Sequence, residues 1–354
     1  MKLRTHIYFW LTALAVLIVF LYLFRGILLP FVAGMGLAYY LDPLADWFER
    51  RGLSRMMATI IILILFLIVF VLALVIIIPL LGAQTANFIE RLPSLVTQLQ
   101  ARISEINAGW LERLMGEDRT AVQQSFSEFL KEGAGWLTGL LRSVWSGGQA
   151  ILDIAGLFIV TPVVAFYLLY DWDRMMAKVN SWLPRDNAEV IRTLANEINA
   201  ALAGFIRGQG LVCLLLGGFY AIGLSLAGLN FGLLIGILAG LLSFIPYVGS
   251  ITGFLLSIGV ALVQFWPDYL NIALVAAIFA AGQFLEGNIL QPRLVGRSVG
   301  LHPVWLMFAL FAFGSLFGFV GLLVAVPLAA AVGVLVRFAL RQYLQSSFYK
   351  GGES

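Results

Sequence analysis

From 57 to 81 the chain runs for 25 residues without a charged side chain. As a helix this run is about 37 Å long, more than the ~30 Å of a bilayer's hydrocarbon core. In hydrocarbon only helices and closed barrels satisfy their own backbone. A barrel would show alternating strands of about ten residues instead of unbroken apolar runs. Composition extends the conclusion to the whole chain, which is 61% hydrophobic and 12% charged, where soluble domains average ~25% charged. The expected fold is an all-α polytopic membrane protein in contact with lipid. It should have about eight transmembrane segments, an amphipathic helical insert, and broken or re-entrant helices in the C-terminal half.

Three regions follow from the pattern. Residues 1–81 hold N-terminal transmembrane helices at 7–24, 27–41 and 57–81, the second ended by Asp42-Pro43 and followed by a charged link, Glu49 to Arg55. The positive start M-K-L-R-T-H resembles a signal, but its apolar run continues to 29 without a small-residue cleavage site, so a retained first span is expected. Residues 82–148 change character. Phe88, Leu92, Leu95, Leu99, Ile103, Ile106 and Trp110 recur every three or four positions, the stripe of one amphipathic helix. Val122, Phe126, Phe129 and Leu130 suggest a second. This insert is expected outside the cytoplasm. Residues 149–354 form the C-terminal region, with an amphipathic cytoplasmic segment at 171–207 that Pro184 interrupts.

Charge sets the expected orientation. With the N-terminus in the cytoplasm, segments 2–4, 50–55, 174–207, 293–297 and 337–350 collect fifteen of the 22 Lys and Arg residues on that side. Both termini are then cytoplasmic. The net charge of +3 implies no nucleic-acid partner, and the single cysteine, Cys213, forbids an intrachain disulfide and a cysteine zinc cluster.

Within the apolar run 224–265 lies F-I-P-Y-V-G-S, residues 244–250. Pro246 has no N–H and its ring clashes with the preceding turn, so a helix must break there. The halves, 231–245 and 250–265, are short for a full span, and each is either a thin span or one arm of a re-entrant hairpin. Broken helices near the midplane are where transporters bind substrates and ions. Ser243, Tyr247 and Ser250 place hydroxyls beside the break, while Pro246 and Gly249 shape its backbone. A kink without a ligand is the plainer alternative. A second pair of short segments, 303–318 and 319–338, has the same character and ends in a similar glycine-to-proline stretch.

The link after 285 gathers Gln283, Glu286, Gly287, Asn288, Gln291, Arg293, Arg297 and His302. An ionisable group at a membrane helix end is a candidate functional site. Glu286 could carry a proton or accept a hydroxyl-rich solute, and an ordinary loop meeting lipid headgroups is the alternative. Arg207 and Gln209, at the entry of the fifth span expected at 210–229, are candidates to contact this link, a snorkelling anchor being the simpler account of Arg207. No Walker loop or zinc-protease motif is present, the glycines at 204 and 208 make no dinucleotide loop because no strand precedes them, and no G-x-S-x-G lies in a plausible strand-to-helix context for a serine elbow. Neither an enzyme nor a cofactor is expected.

F-I-R-G-Q at 205–209, F-I-P-Y-V-G-S at 244–250, E-G-N-I-L-Q-P at 286–292 and L-H-P at 301–303 occur in that order. As a set they resemble the autoinducer-2 exporter family of bacterial inner-membrane proteins, across nearly the whole chain. The resemblance implies a secondary transporter and a homo-oligomer, expected as a pentamer, with broken or re-entrant helices around the transport path. In that family some members are linked to export of the quorum-sensing signal autoinducer-2 and others to sodium–proton antiport. The expected function is export of a small polar solute, with proton or sodium coupling open. The rivals are a sodium(lithium)/proton antiporter, which the scarcity of membrane carboxylates disfavours, and a non-transporting scaffold or channel-like assembly using the insert as its partner surface.

Overall fold

A computed structural model describes residues 2–105, 148–295 and 301–350, together with 128, 132 and 135. The expected second amphipathic helix at 122–130, apart from Glu128, and Arg297 lie outside the described residues. Among the described residues there is no strand, and seven helices are long and apolar enough to cross a membrane. The protein is all-α and polytopic. Helices α1 (Lys2–Leu23), α2 (Leu28–Glu49) and α3 (Arg55–Glu105) precede α4 (Gly148–Ser181) and α5 (Ala188–Leu226). The short α6 (Gly232–Leu242) leads to α7 (Val248–Phe265) and α8 (Tyr269–Leu285). A π-helical segment, Glu286–Val295, extends α8, and α9 (Pro303–Gln345) and α10 (Ser347–Lys350) close the chain.

The chain divides into two compact units: Met1–Leu67, Ile154–Gln209 and Pro292–Ser354 form one, and Ile68–Asp153 with Gly210–Gln291 the other. In the first unit, Ala38, Leu41 and Ala45 of α2 meet Ile62 and Leu169 in a buried core. Small residues let the helices approach, and a Cβ on Gly34 would stand 2.8 Å from Val164 of α4. Asp42-Pro43 does not end α2, contrary to the sequence expectation; the helix continues to Glu49. The carbonyl orphaned by Pro43 is that of Tyr39, four residues back. Arg207 of α5 donates to it through Nε at 2.6 Å. The helix therefore survives its proline because another helix replaces the missing donor.

The last apolar region is also broken where short segments were expected. Gly318 has φ 62° and ψ −137°, a conformation that L side chains rarely adopt. There α9 doubles back. Cβ atoms built on Gly314 and Gly321 would meet Leu322 and the Phe313 carbonyl, and one on Gly333 would meet Leu301 at 2.9 Å. This pairing is antiparallel about residue 318. The arm 303–317 is about 22 Å long, below the ~30 Å of the hydrocarbon core.

In the second unit, α6 and α7 form a helical hairpin. Gly253 of α7 lies against Ala239 of α6, and the Gln264 side chain closes the open end, accepting from Asn230 N at 2.7 Å and donating to Gly228 O at 2.8 Å. Helix α6 packs on α5 through glycines at every fourth position. Gly232, Gly236 and Gly240 face Leu224, Ala221 and Gly217 with backbone nearly touching backbone. Small residues in this spacing let membrane helices pack by close van der Waals contact, where lipid supplies no hydrophobic drive. Tyr220 stacks on Phe279 of α8, with ring centroids 4.4 Å apart. Asp268 caps α8, accepting from Leu270 N at 3.1 Å and Asn271 N at 3.3 Å. Loss of this cap in Asp268→Ala should cost about 1 kcal/mol, read as a lower unfolding midpoint in detergent with flux retained.

Helix lengths depart from the expected boundaries at two further places. The span at 57–81 and the start of the amphipathic stretch are one continuous helix, α3. The amphipathic segment before Arg207 and the fifth span are likewise one helix, α5, whereas Pro184 does separate α4 from α5. Apolar periodicity changed at 82 and 207, but no backbone signal there stops a helix. In the stretch Arg55–Ile77 only 6% of the span is buried. Ile64, Leu65, Ile68, Val69 and Leu72 are exposed in a chain whose surroundings would be hydrocarbon.

Candidate functional site

The break lies between Leu242 and Val248, around Pro246. Tyr247 follows at φ 68° and is exposed. Much of the backbone that a break should orphan is repaired locally: the amides of Ser243, Phe244, Ile245 and Val248 reach carbonyls three or four residues back at 2.9–3.2 Å. Two of the expected hydroxyls bond to nearby backbone. Ser243 Oγ donates to Ala239 O at 2.7 Å, and Ser250 Oγ donates to Tyr247 O at 3.2 Å. Gly249 is buried against Ser243, where no Cβ would fit.

The polar link is not a loop up to Val295 but a π-helix. A π-helix carries i→i+5 bonding, which brings side chains five apart onto one face, and such segments recur at functional sites. Gln291 Nε2 accordingly donates to Glu286 Oε1 at 3.3 Å. From the other side Gln283 Nε2 lies 3.0 Å from Glu286 Oε2 and 3.3 Å from the Tyr220 hydroxyl. Asn288 bonds to Phe284 O at 3.1 Å, and Gly287 faces open space. Among the described residues Glu286 is half-buried and held by two amides, with no ion pair. Tyr220 is fully buried, its ring against Gly282, and sequence reasoning missed it because a tyrosine inside an apolar run gives no signal of its own.

Helix register relates the break to this cluster. Gly253 of α7 packs on Phe279 of α8, and the two helices run antiparallel. Four residues back along α7 and four further along α8 bring Gly249 and Gln283 to one level. Pro246 and Glu286 therefore stand at the same end of this unit.

Other candidates are placed differently. Arg207 does not engage the link with its side chain; it holds Tyr39 O and lies 3.5 Å from Asp42. Its neighbour Gly208 makes the contact instead, because a Cβ there would collide with the Leu294 carbonyl. Gln209 is buried. His302 caps α9 through Nδ1, accepting from Val304 N at 3.3 Å, with Pro303 at the first helical position. The L-H-P stretch is thus a helix start. Arg293 is exposed. A further cluster went unrecognised in the sequence. Arg55 bonds Asp42 at 2.8 Å, Asp46 at 2.6 Å, Glu49 at 3.2 Å and the Leu169 carbonyl at 2.8 Å. The acids at 42, 46 and 49 share one helix face, the only signal that could have found it.

Among the described residues, seven helices long and apolar enough to cross a membrane, one of them α7 paired with the short α6 across the break at Pro246, define a polytopic α-helical membrane protein. A family profile described as AI-2E family transporter matches residues 11–341. The chain belongs to the AI-2E transporter family. It is 28% identical to "Putative transport protein YrrI" of Bacillus subtilis (strain 168) over 325 residues, covering 90% of this chain and 88% of the relative. It is likewise 28% identical to "Putative permease PerM" of Escherichia coli (strain K12) over 330 residues, 89% of this chain and 88% of the relative. "Putative transport protein MT0215" of Mycobacterium tuberculosis (strain CDC 1551 / Oshkosh) shares 28% over 323 residues, 90% of this chain and 85% of the relative.

Proposed function

We propose that this protein is a secondary transporter of the bacterial inner membrane that exports a small polar solute, with autoinducer-2 the first solute to test. The supporting observation is Glu286, a half-buried carboxylate inside an apolar bundle whose partners are the amides of Gln283 and Gln291 and not a cation. Membrane carboxylates are expensive and mark solute, ion or proton pathways. Amide partners let Glu286 exchange a proton or take a solute hydroxyl without first breaking an ion pair. Tyr247, exposed at the same end as the cluster, and Asn288 and Gln291 are the proposed hydrogen-bonding groups of the path. Gly287, at an open point of the π-helix, leaves space beside them. The reading includes a homo-oligomer, cytoplasmic termini, and the insert on the outer side.

The same carboxylate also favours a second reading, a sodium(lithium)/proton antiporter in which Glu286 binds the cation. Glu286→Gln tests the shared element, since it keeps size and one acceptor oxygen while removing charge. Flux in proteoliposomes should fall at least tenfold with an unchanged unfolding midpoint. Wild-type flux in that variant would remove Glu286 from the mechanism.

A further inference from the structure

The first unit holds a cavity of about 480 Å³ between α2, α4 and α5. That volume falls within the ~300–1,000 Å³ of small-molecule sites. Its polar side carries a loosely closed pair of opposite charges: Asp42 Oδ2 and Arg207 Nη2 stand 3.5 Å apart. Charge-assisted bonds close to about 2.7–2.9 Å when nothing holds the partners apart. Each partner is fixed from behind. Asp42 Oδ1 is bound by Arg55 at 2.8 Å, and Arg207 Nε is spent on the Tyr39 carbonyl at 2.6 Å. Neither side chain can close the gap without giving up a shorter bond.

Beside the pair, Asn199 Oδ1 accepts from the Tyr39 hydroxyl at 2.8 Å, which turns its amide N–H₂ into a donor for the cavity. Tyr39 and Trp172 are the aromatic lining, and Met35, Leu168 and Ala203 make the remaining wall apolar. A ligand with a single charge would satisfy one member of the pair and leave the other facing a like charge. A ligand carrying both charges on neighbouring atoms would satisfy both.

We infer that this cavity binds a zwitterion. The anionic group sits on Arg207 and Asn199, the ammonium on Asp42 with an aromatic face of Trp172 or Tyr39, and an apolar substituent lies against Met35 and Leu168. That chemistry belongs both to free α-amino acids and to a phosphatidylethanolamine headgroup. The site lies in a different unit from Glu286 and does not depend on the role proposed for that residue.

The test uses the purified full-length protein in detergent. Leucine is the free-solute probe, and 4-methylpentanoate and 3-methylbutylamine each carry half of its charge. Calorimetric titration and unfolding midpoints report binding. Native mass spectrometry compares retained phosphatidylethanolamine with phosphatidylglycerol. The expected result is binding by leucine and by neither half, weakened at least tenfold in Arg207→Gln and in Asn199→Ala. Asn199 is exposed, so its variant should fold even if Arg207→Gln does not. Selective retention of phosphatidylethanolamine, lost in Asn199→Ala, without leucine binding would assign the same site to the lipid. Binding of the half-charged probes as tightly as leucine would overturn the proposal. So would binding unchanged in folded Asn199→Ala, or neither leucine nor phosphatidylethanolamine held by the folded wild type.

Discussion

Gly240→Ala should leave little folded protein in the membrane, while Gly217→Ala, at the same helix crossing, should be neutral or slightly stabilising. A Cβ on Gly240 would fall onto the Gly217 Cα, 2.6 Å from its nitrogen and 2.9 Å from the Cys213 carbonyl oxygen. All three atoms are backbone, so no rotamer change relieves the clash, and α6 must lift from α5. Overpacking costs about 1–3 kcal/mol where side chains can yield and more where they cannot. The loss also opens the contacts of Gly232 and Gly236 along the same seam. A Cβ on Gly217 would instead stand 3.4 Å from the Gly240 Cα, an ordinary contact. The ~1 kcal/mol helix-propensity advantage of alanine is then free to act. Expression yield and unfolding midpoint in detergent measure the pair. Equal effects at the two positions would contradict this crossing geometry.

Arg55→Met carries the other large effect, on the first unit. It removes one cation from Asp42, Asp46 and Glu49 and the donor to the Leu169 carbonyl. Arg55 is 16% exposed, but its carboxylate partners are 39–46% exposed, so water screens part of the loss. Breaking a buried pair costs about 3–5 kcal/mol, and the screening here reduces the expected loss to about 2–3 kcal/mol. If repulsion among the acids is the cause, Asp46→Asn should restore part of the stability in the Arg55→Met background and cost stability alone. The coupling is read from a double-mutant cycle of unfolding free energies. Additive effects would mean that Arg55 acts through Leu169 and packing.

The breaks were readable because Pro246 and Gly318 act locally. A proline removes its own N–H, and a glycine at positive φ turns the chain where it sits. What escaped depends on partners distant in sequence. Asp42-Pro43 looked like a helix end because the donor that rescues Tyr39 O comes from Arg207, far along the chain. The link after 285 looked like a loop because polarity marks exposure, while the π-helical turn that sets Gln291 beside Glu286 has no spacing rule to betray it. Tyr220 was silent inside its apolar run, yet it anchors Gln283 from within the bundle. Ser243 and Ser250 drew attention as hydroxyls beside a break, and each hydroxyl donates back to a nearby carbonyl of its own segment.

Flux in proteoliposomes containing only this protein tests the central claim most directly. Vesicles loaded with labelled autoinducer-2 are followed with no gradient, with a proton gradient and with a sodium gradient, for the wild type and Glu286→Gln. The account predicts solute efflux by the wild type that is lost in Glu286→Gln. Cation-coupled proton movement without solute flux, or solute flux indifferent to Glu286, would contradict it.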